Sequence, residues 1–260
     1  MSGFFVRLRE LAKENHSQVC VGLDPDPDRI PGGADEALRH CLRVVEATRG
    51  LVCCYKPNSA FWEQYGAEGF GALAELRARV PASIPFLYDA KRGDLDNTNR
   101  AYARAAFDVL KMDAITLHGY LGRDSLTQFA GRVDRGCYLV CRTSNPSAGD
   151  LQHRDVEGAP LYMRMVELAE GVNQAGNLGL VVGATAPEQI AEIRRVTDLP
   201  FLIPGIGAQG GDLEGSVRAA WNGDQASCLI NASRSILFAP DPRQAAQDLR
   251  DHINRTIGGL

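Results

Sequence analysis

Eight short apolar runs, each followed by a longer amphipathic segment, recur from one end of this chain to the other, and that rhythm constrains the fold more than any single motif. The runs cover residues 19–23, 52–55, 84–88, 114–117, 137–141, 179–182, 200–203 and 226–230. Runs of this length suit buried strands, and strands separated by helical segments are parallel, because a parallel neighbour is reached only through a crossover. The spacing predicts helices over 36–48, 68–79, 99–110, 161–175, 187–196 and 215–222, with 242–257 closing the chain. Asp35 and Thr98 read as helix-start signals, and Pro187 as a first helical residue. Residues 4–14 form a further amphipathic pattern ahead of the first strand, suited to covering the bottom of a barrel. Eight strand–helix units in 260 residues predict an α/β fold, a single (β/α)8 TIM barrel domain over 1–260 with an additional N-terminal helix; such barrels take about 250 residues. A doubly wound open sheet is the alternative, and chemistry at every strand's C-terminal end favours closure.

Composition excludes several classes of partner. The net charge is −4 and no cationic run occurs, so neither nucleic acid nor an anionic membrane surface is expected. No apolar stretch reaches the 18 or so residues needed to span a bilayer, and the N-terminus does not read as a signal peptide, so a cytoplasmic protein is expected. The seven cysteines are odd in number. Cys20, Cys53, Cys54, Cys137, Cys141 and Cys228 fall in strand-like runs without C-x-x-C spacing, which predicts buried free thiols.

The chemistry concentrates where the third run ends, at Asp89-Ala90-Lys91-Arg92-Gly93-Asp94. Side chains two apart on a strand share a face, so Asp89 and Lys91 point the same way, while Gly93 turns the chain and presents Asp94 from a loop. A surface charge cluster is the bland reading of such a stretch; the buried run Phe86-Leu87-Tyr88 before it places the charges at a strand end instead. In a barrel those ends share one rim. Asp24 follows the first strand, Lys56 the second, Asp89 and Lys91 the third, and Ser144 lies beyond the fifth. Singly, Asp24 before Pro25 reads equally as a turn former and Lys56 before Pro57 as a solvated strand-end lysine; together they form an alternating Asp/Lys array.

The last two strand ends carry a different signal. Pro204-Gly205-Ile206-Gly207-Ala208-Gln209-Gly210-Gly211 is a glycine-rich loop, and Asn231-Ala232-Ser233-Arg234 opens a short helix after the final strand. Amide groups at such a loop, with an arginine beside them, suit a phosphate, and barrels often hold one after strands seven and eight. No serine sits in G-x-S-x-G, no histidine or cysteine pairing suggests a transition metal, and no Walker loop is present. His118 alone among the five histidines follows a strand, and reads as a packing or supporting residue. Residues 145–160 form the longest irregular stretch, after the fifth strand and on the chemical side of the barrel.

These motifs, in this order, resemble the orotidine 5′-monophosphate decarboxylase family, specifically its longer bacterial branch (type 2). The resemblance rests on Gly22-Leu23-Asp24, on Lys56-Pro57-Asn58-Ser59-Ala60-Phe61, and on Asp89 to Asp94 with Thr98. It extends through Thr143-Ser144-Asn145-Pro146, the glycine-rich loop and Ser233-Arg234. It implies a lyase of UMP biosynthesis, a carboxy-lyase without cofactor or metal, acting as a homodimer on orotidine 5′-monophosphate. By position, Lys91 is then the acid that protonates the pyrimidine carbon, Asp89 lies against the scissile carboxylate, and Lys56 links the array to the ribose. Asp24 binds a ribose hydroxyl, Ser144 reads the pyrimidine, and Gln209, Arg234 and the backbone of Ser233 hold the phosphate. Asp94 and Thr98 reach into the neighbouring subunit's site. Two other readings stay open: a metal-dependent sugar-phosphate lyase or decarboxylase of the same superfamily, and a non-catalytic nucleotide-binding barrel.

Overall fold

The computed structural model describes residues 3–206 and 211–260. Strands β1 (Val19–Gly22), β2 (Cys54–Lys56), β3 (Leu87–Arg92), β4 (Ala114–Leu117) and β5 (Gly136–Arg142) are followed by a small hairpin, β6 (Asp155–Val156) and β7 (Ala159–Pro160). Strands β8 (Leu178–Val182), β9 (Phe201–Ile203) and β10 (Cys228–Ala232) complete the set. Eight of them form one parallel sheet in the order β2-β1-β10-β9-β8-β5-β4-β3. Its two edges meet through bridges at Tyr55–Phe86 and Asn58–Asp89, where Tyr55 N–H donates to Pro85 (3.0 Å) and Asp89 N–H to Pro57 (2.9 Å). The sheet therefore closes, and the predicted (β/α)8 barrel is the observed fold.

Period-two alternation divides the strand residues between two cores. Cys20, Cys54, Leu87, Ala114, Tyr138, Val181, Leu202 and Leu229 pack with Phe4, Phe5, Leu8 and Ala12 in the barrel interior. Val19, Val21, Tyr55, Phe86, Tyr88 and Ile115 belong to the outer core beneath the helices. The predicted N-terminal helix, Phe4–Glu14, plugs the base: the Phe4 and Phe5 rings meet Tyr138 edge-on at 6.1 and 5.5 Å between centroids. At the same end, buried Asp113 accepts from Arg7 (2.7 Å), Arg77 (3.2 Å) and the Phe86 amide (2.9 Å), which fixes where β3 and β4 begin. With bottom and middle apolar, the inward positions near the strand C-terminal ends are the ones that remain for polar chemistry.

Several predicted boundaries shift for identifiable reasons. The third strand runs Leu87–Arg92, not 84–88, because its ladder with β4 starts at Leu87; Asp89 and Lys91 consequently lie within the strand. Asp35 is not a cap: the helix is Gly33–Thr48, and Asp35 sits in its first turn, where its charge favours the N-terminal dipole. Thr98 is not a cap either, since Leu95 is the extended residue before the helix Asp96–Ala103, and this helix passes into a π-helical stretch at Arg104–Val109. Pro187 does open the helix Pro187–Arg194. Short helices at Ser59–Glu63 and Asp124–Ala130 lack the length that periodicity needs to register.

The stretch 145–160 is not structureless. It holds a 3-10 turn, Pro146–Asp150, and the β6–β7 hairpin. Gln152 ties it to the end of β5, accepting from the Thr143 amide (2.9 Å) and donating to the Thr143 hydroxyl (2.7 Å). All seven cysteines are buried and free. Burial pushes the Cys137, Cys141 and Cys228 thiols up to about 12, so they stay protonated and inert. No helix among the described residues is long and apolar enough to cross a membrane.

Candidate active site

A cavity of about 420 Å³ opens at the C-terminal ends of the strands, walled by Asp24, Lys56, Asp89 and Lys91 together with Ser233 and Arg234. Ser144 and Thr143 enter from the end of β5, and Pro204, Gly205 and Ile206 from the end of β9. Seven of the ten residues singled out by sequence thus meet at one mouth, from five strand ends. Gln209 lies outside the described residues. A larger cavity, about 940 Å³, sits beside the N-terminal helix, but Arg123 is the one ionisable side chain in its described wall. Paired acids and bases, not volume, identify the reactive site.

Asp89 is the hub. One carboxylate oxygen accepts from Lys56 Nζ (2.7 Å) and from Asn58 Nδ2 (3.3 Å); the other accepts from Lys91 Nζ (2.6 Å) and the Thr116 hydroxyl (2.9 Å). Burial by itself would drive Asp89 toward its neutral form, yet the two ammonium groups outweigh it and hold the carboxyl well below the usual range. Burial would likewise strip the proton from Lys56, which is 3% exposed; the Asp89 and Asp24 charges reverse that and hold its ammonium above the ordinary lysine value. Lys56 and Asp89 are therefore charged throughout the neutral range. Lys91 differs in having half of its side chain open to the cavity and solvent. A buried anion flanked by one buried and one accessible ammonium can steady a cationic acid beside a substrate.

Asn58 and Thr116 bond to the charged array, and the charge pattern did not reveal them. Asn58 donates its amide N–H to Asp24 Oδ1 (2.9 Å), so one residue braces both carboxylates of the mouth. Its helix-capping role before Ser59–Glu63 was the available signal. Thr116 gave none, since a β-branched residue in an apolar strand reads as packing. His118, expected to pack or support, lies behind Gly93, where an added Cβ would come within 2.6 Å of its ring.

Asp94 and Thr98 stand apart from the others: neither belongs to the described wall of this chain's cavity. Asp94 Oδ1 accepts from the Leu95 amide (2.6 Å), and its carbonyl accepts from Asn99, whose amide also donates to Ser125 (2.7 Å). The loop that carries Asp94 is thus anchored to fully buried Asn99.

Ser233 precedes the helix Arg234–Leu237 and faces Gly22 at the end of β1. A Cβ at Gly22 would meet Ser233 Oγ at 1.8 Å and Ser233 Cβ at 2.6 Å. Glycine is required there by close approach. Gly22→Ala is therefore expected to push Ser233 aside and weaken binding of a phosphate-bearing ligand at this mouth about tenfold while the barrel stays folded, as isothermal titration and circular dichroism would check. Unchanged affinity would separate Ser233 from ligand binding.

A closed parallel barrel with its charged groups on the strand C-terminal rim defines the class, a (β/α)8 enzyme of small-molecule metabolism. The chain belongs to the orotidine 5′-phosphate decarboxylase / HUMPS family, whose model matches residues 17–249. It is 48% identical to the orotidine 5′-phosphate decarboxylase of Roseiflexus castenholzii, covering 98% of both chains. It is 47% identical to that of Thermomicrobium roseum, covering 97% of this chain and 95% of the relative. The structure of Leishmania donovani OMP decarboxylase superposes with a TM-score of 0.91 at 44% identity, covering 98% of each chain.

Proposed function

We propose that this chain converts orotidine 5′-monophosphate to UMP and carbon dioxide in pyrimidine biosynthesis, with Lys91 as the proton donor and without a cofactor. The observation that carries this reading is the Lys56–Asp89–Lys91 array at 2.7 and 2.6 Å, lining one cavity with Ser233 and Arg234. Loss of carbon dioxide leaves negative charge on a ring carbon. An ammonium already in place favours that charge and supplies the proton that quenches it. Asp89 holds the Lys91 ammonium in place at 2.6 Å and faces the departing carboxylate. Asp24 and Lys56 take the ribose, Ser144 the pyrimidine, and Arg234 and the Ser233 amide the phosphate, together with Gln209. Grip on the remote phosphate can be used to hold the reacting end in place.

The metal-dependent sugar-phosphate reading fits less well. Each Asp89 oxygen already accepts from an ammonium group, and among the described residues no group of three or more His, Cys, Asp or Glu side chains could hold a metal ion. A passive binding barrel would have no need to bury a lysine against an aspartate. Buried free thiols throughout suit the reducing cytosol, where this enzyme would act.

The position of Asp94 and Thr98 outside the described wall of their own chain's cavity supports a homodimer in which they complete the neighbouring site. Lys91→Ala and Asp94→Ala protomers are each expected to be nearly inactive alone. Mixed under subunit exchange, they should recover about a quarter of wild-type turnover, because half of randomly paired dimers then hold one intact site. No recovery, with mixed dimers present, would place Asp94 within its own chain. For the reaction itself, turnover in D2O should give UMP carrying one deuterium at the carbon that lost the carboxylate; unchanged orotidine 5′-monophosphate would sink the assignment.

A further inference from the structure

The ladder between β3 and β4 breaks where the chemistry lies. Tyr88 pairs with Ile115 and Arg92 with Leu117, so β3 advances four residues while β4 advances two. Asp89, Ala90 and Lys91 occupy the resulting bulge, and Lys91 adopts φ +44°, a left-handed conformation that costs a side-chain-bearing residue energy. Of the four described non-glycine residues with positive φ, Lys91 alone lines the cavity. Within the bulge the Lys91 amide is bonded to a side chain. The Thr116 hydroxyl is that partner: it accepts from Lys91 N–H at 2.9 Å and donates its own O–H to Asp89 Oδ1 at 2.9 Å. Thr116 is fully buried, so no water can replace it there without a cavity.

We infer that Thr116 is a positioning residue for the reaction, a buried hydroxyl that fixes the strained Lys91 backbone and the Asp89 carboxylate in one geometry so that the Lys91 ammonium is aimed at the substrate. This rests on the decarboxylase reading for its kinetic consequence, and on the bulge alone for its structural one. A hydroxyl has the one donor and the free acceptor this bridge needs; a methyl of the same shape has neither. Without it the Lys91 amide loses its hydroxyl acceptor and Asp89 loses one of its donors, so both ends of the bulge relax. The phosphate and ribose contacts lie on other strands and keep their places.

The test compares Thr116→Val and Thr116→Ala with Thr116→Ser. Both hydroxyl-free variants are expected to lose about 10- to 100-fold in kcat with KM and UMP affinity within about threefold of wild type, because misplacing a reacting group costs turnover more than binding. Thr116→Ser, which restores the bridge, should retain most of the turnover. In wild type the Lys91 amide should be protected from hydrogen exchange, and in Thr116→Val it should exchange faster. Normal kcat in both hydroxyl-free variants, or a Thr116→Ser loss as large as theirs, would overturn the inference. If wild type fails to decarboxylate, the functional reading fails, and equal Lys91 amide exchange in wild type and Thr116→Val would then decide against the bridge on its own.

Discussion

Lys91→Ala is expected to lower turnover of orotidine 5′-monophosphate by at least about 10³-fold while UMP binding stays measurable. The magnitude follows from placing an ammonium near a developing carbanion. Two unit charges about 4 Å apart interact by roughly 4 kcal/mol at an effective dielectric near 20, and each 1.36 kcal/mol is tenfold in rate. Loss of the proton donor adds to that. Binding should survive because the phosphate, ribose and pyrimidine contacts are assigned to other residues, and because removing Lys91 leaves Asp89 still paired with Lys56 at 2.7 Å and with Thr116 at 2.9 Å. Steady-state kinetics and UMP titration on the same preparation check this. Turnover within about tenfold of wild type would remove Lys91 from the chemistry.

Asp89→Asn is expected to be the most damaging single change to stability, at about 3 kcal/mol near neutral pH. Removing one partner of a buried ion pair leaves the other uncompensated, and Lys56 is the partner at 3% exposure. The asparagine would also turn an N–H toward an ammonium. The pH dependence has a definite sign. Asp89 is held below its ordinary value, so its contribution is fully present above the unfolded carboxylate pKa and is lost as pH falls toward the folded one. Lys56 is held above its ordinary value, so its contribution is present below the unfolded lysine pKa and is lost as pH rises through the folded one. The gap between wild type and Asp89→Asn should thus be flat from about pH 5 to pH 9 and narrow below about pH 4. Urea unfolding across that range measures it. A gap under about 1 kcal/mol, or one that widens in acid, would mean the array is not the buried, charged cluster described here.

The barrel was legible because eight apolar runs of strand length carry their own signal, and because a chain of such units has few ways to bury both faces of a parallel sheet. The Asp/Lys array was legible for the same reason: Lys56 and Asp89 sit two residues beyond inward-facing Cys54 and Leu87, on the face that period-two alternation assigns to the interior. What the pattern could not carry was the bulge. Nothing in Asp89-Ala90-Lys91 distinguishes a regular strand end from one that gains two residues on its neighbour, and Thr116 shows its role only when the displaced Lys91 amide is seen to need an acceptor. Asn58 was hidden differently, as a helix cap whose spare groups brace Asp24 and Asp89. Asp35 and Thr98 were misread as caps because a polar residue in a first helical turn looks the same in sequence as one just ahead of it.

Purified protein mixed with orotidine 5′-monophosphate in excess chelator, followed by the loss of orotate-type ultraviolet absorbance, tests the central claim most directly. Rapid loss with UMP as the product, undiminished by the chelator, is the result predicted for a lysine-driven decarboxylation at this rim. No loss from folded protein, or activity on a sugar phosphate that returns only with added Mg²⁺, would contradict it.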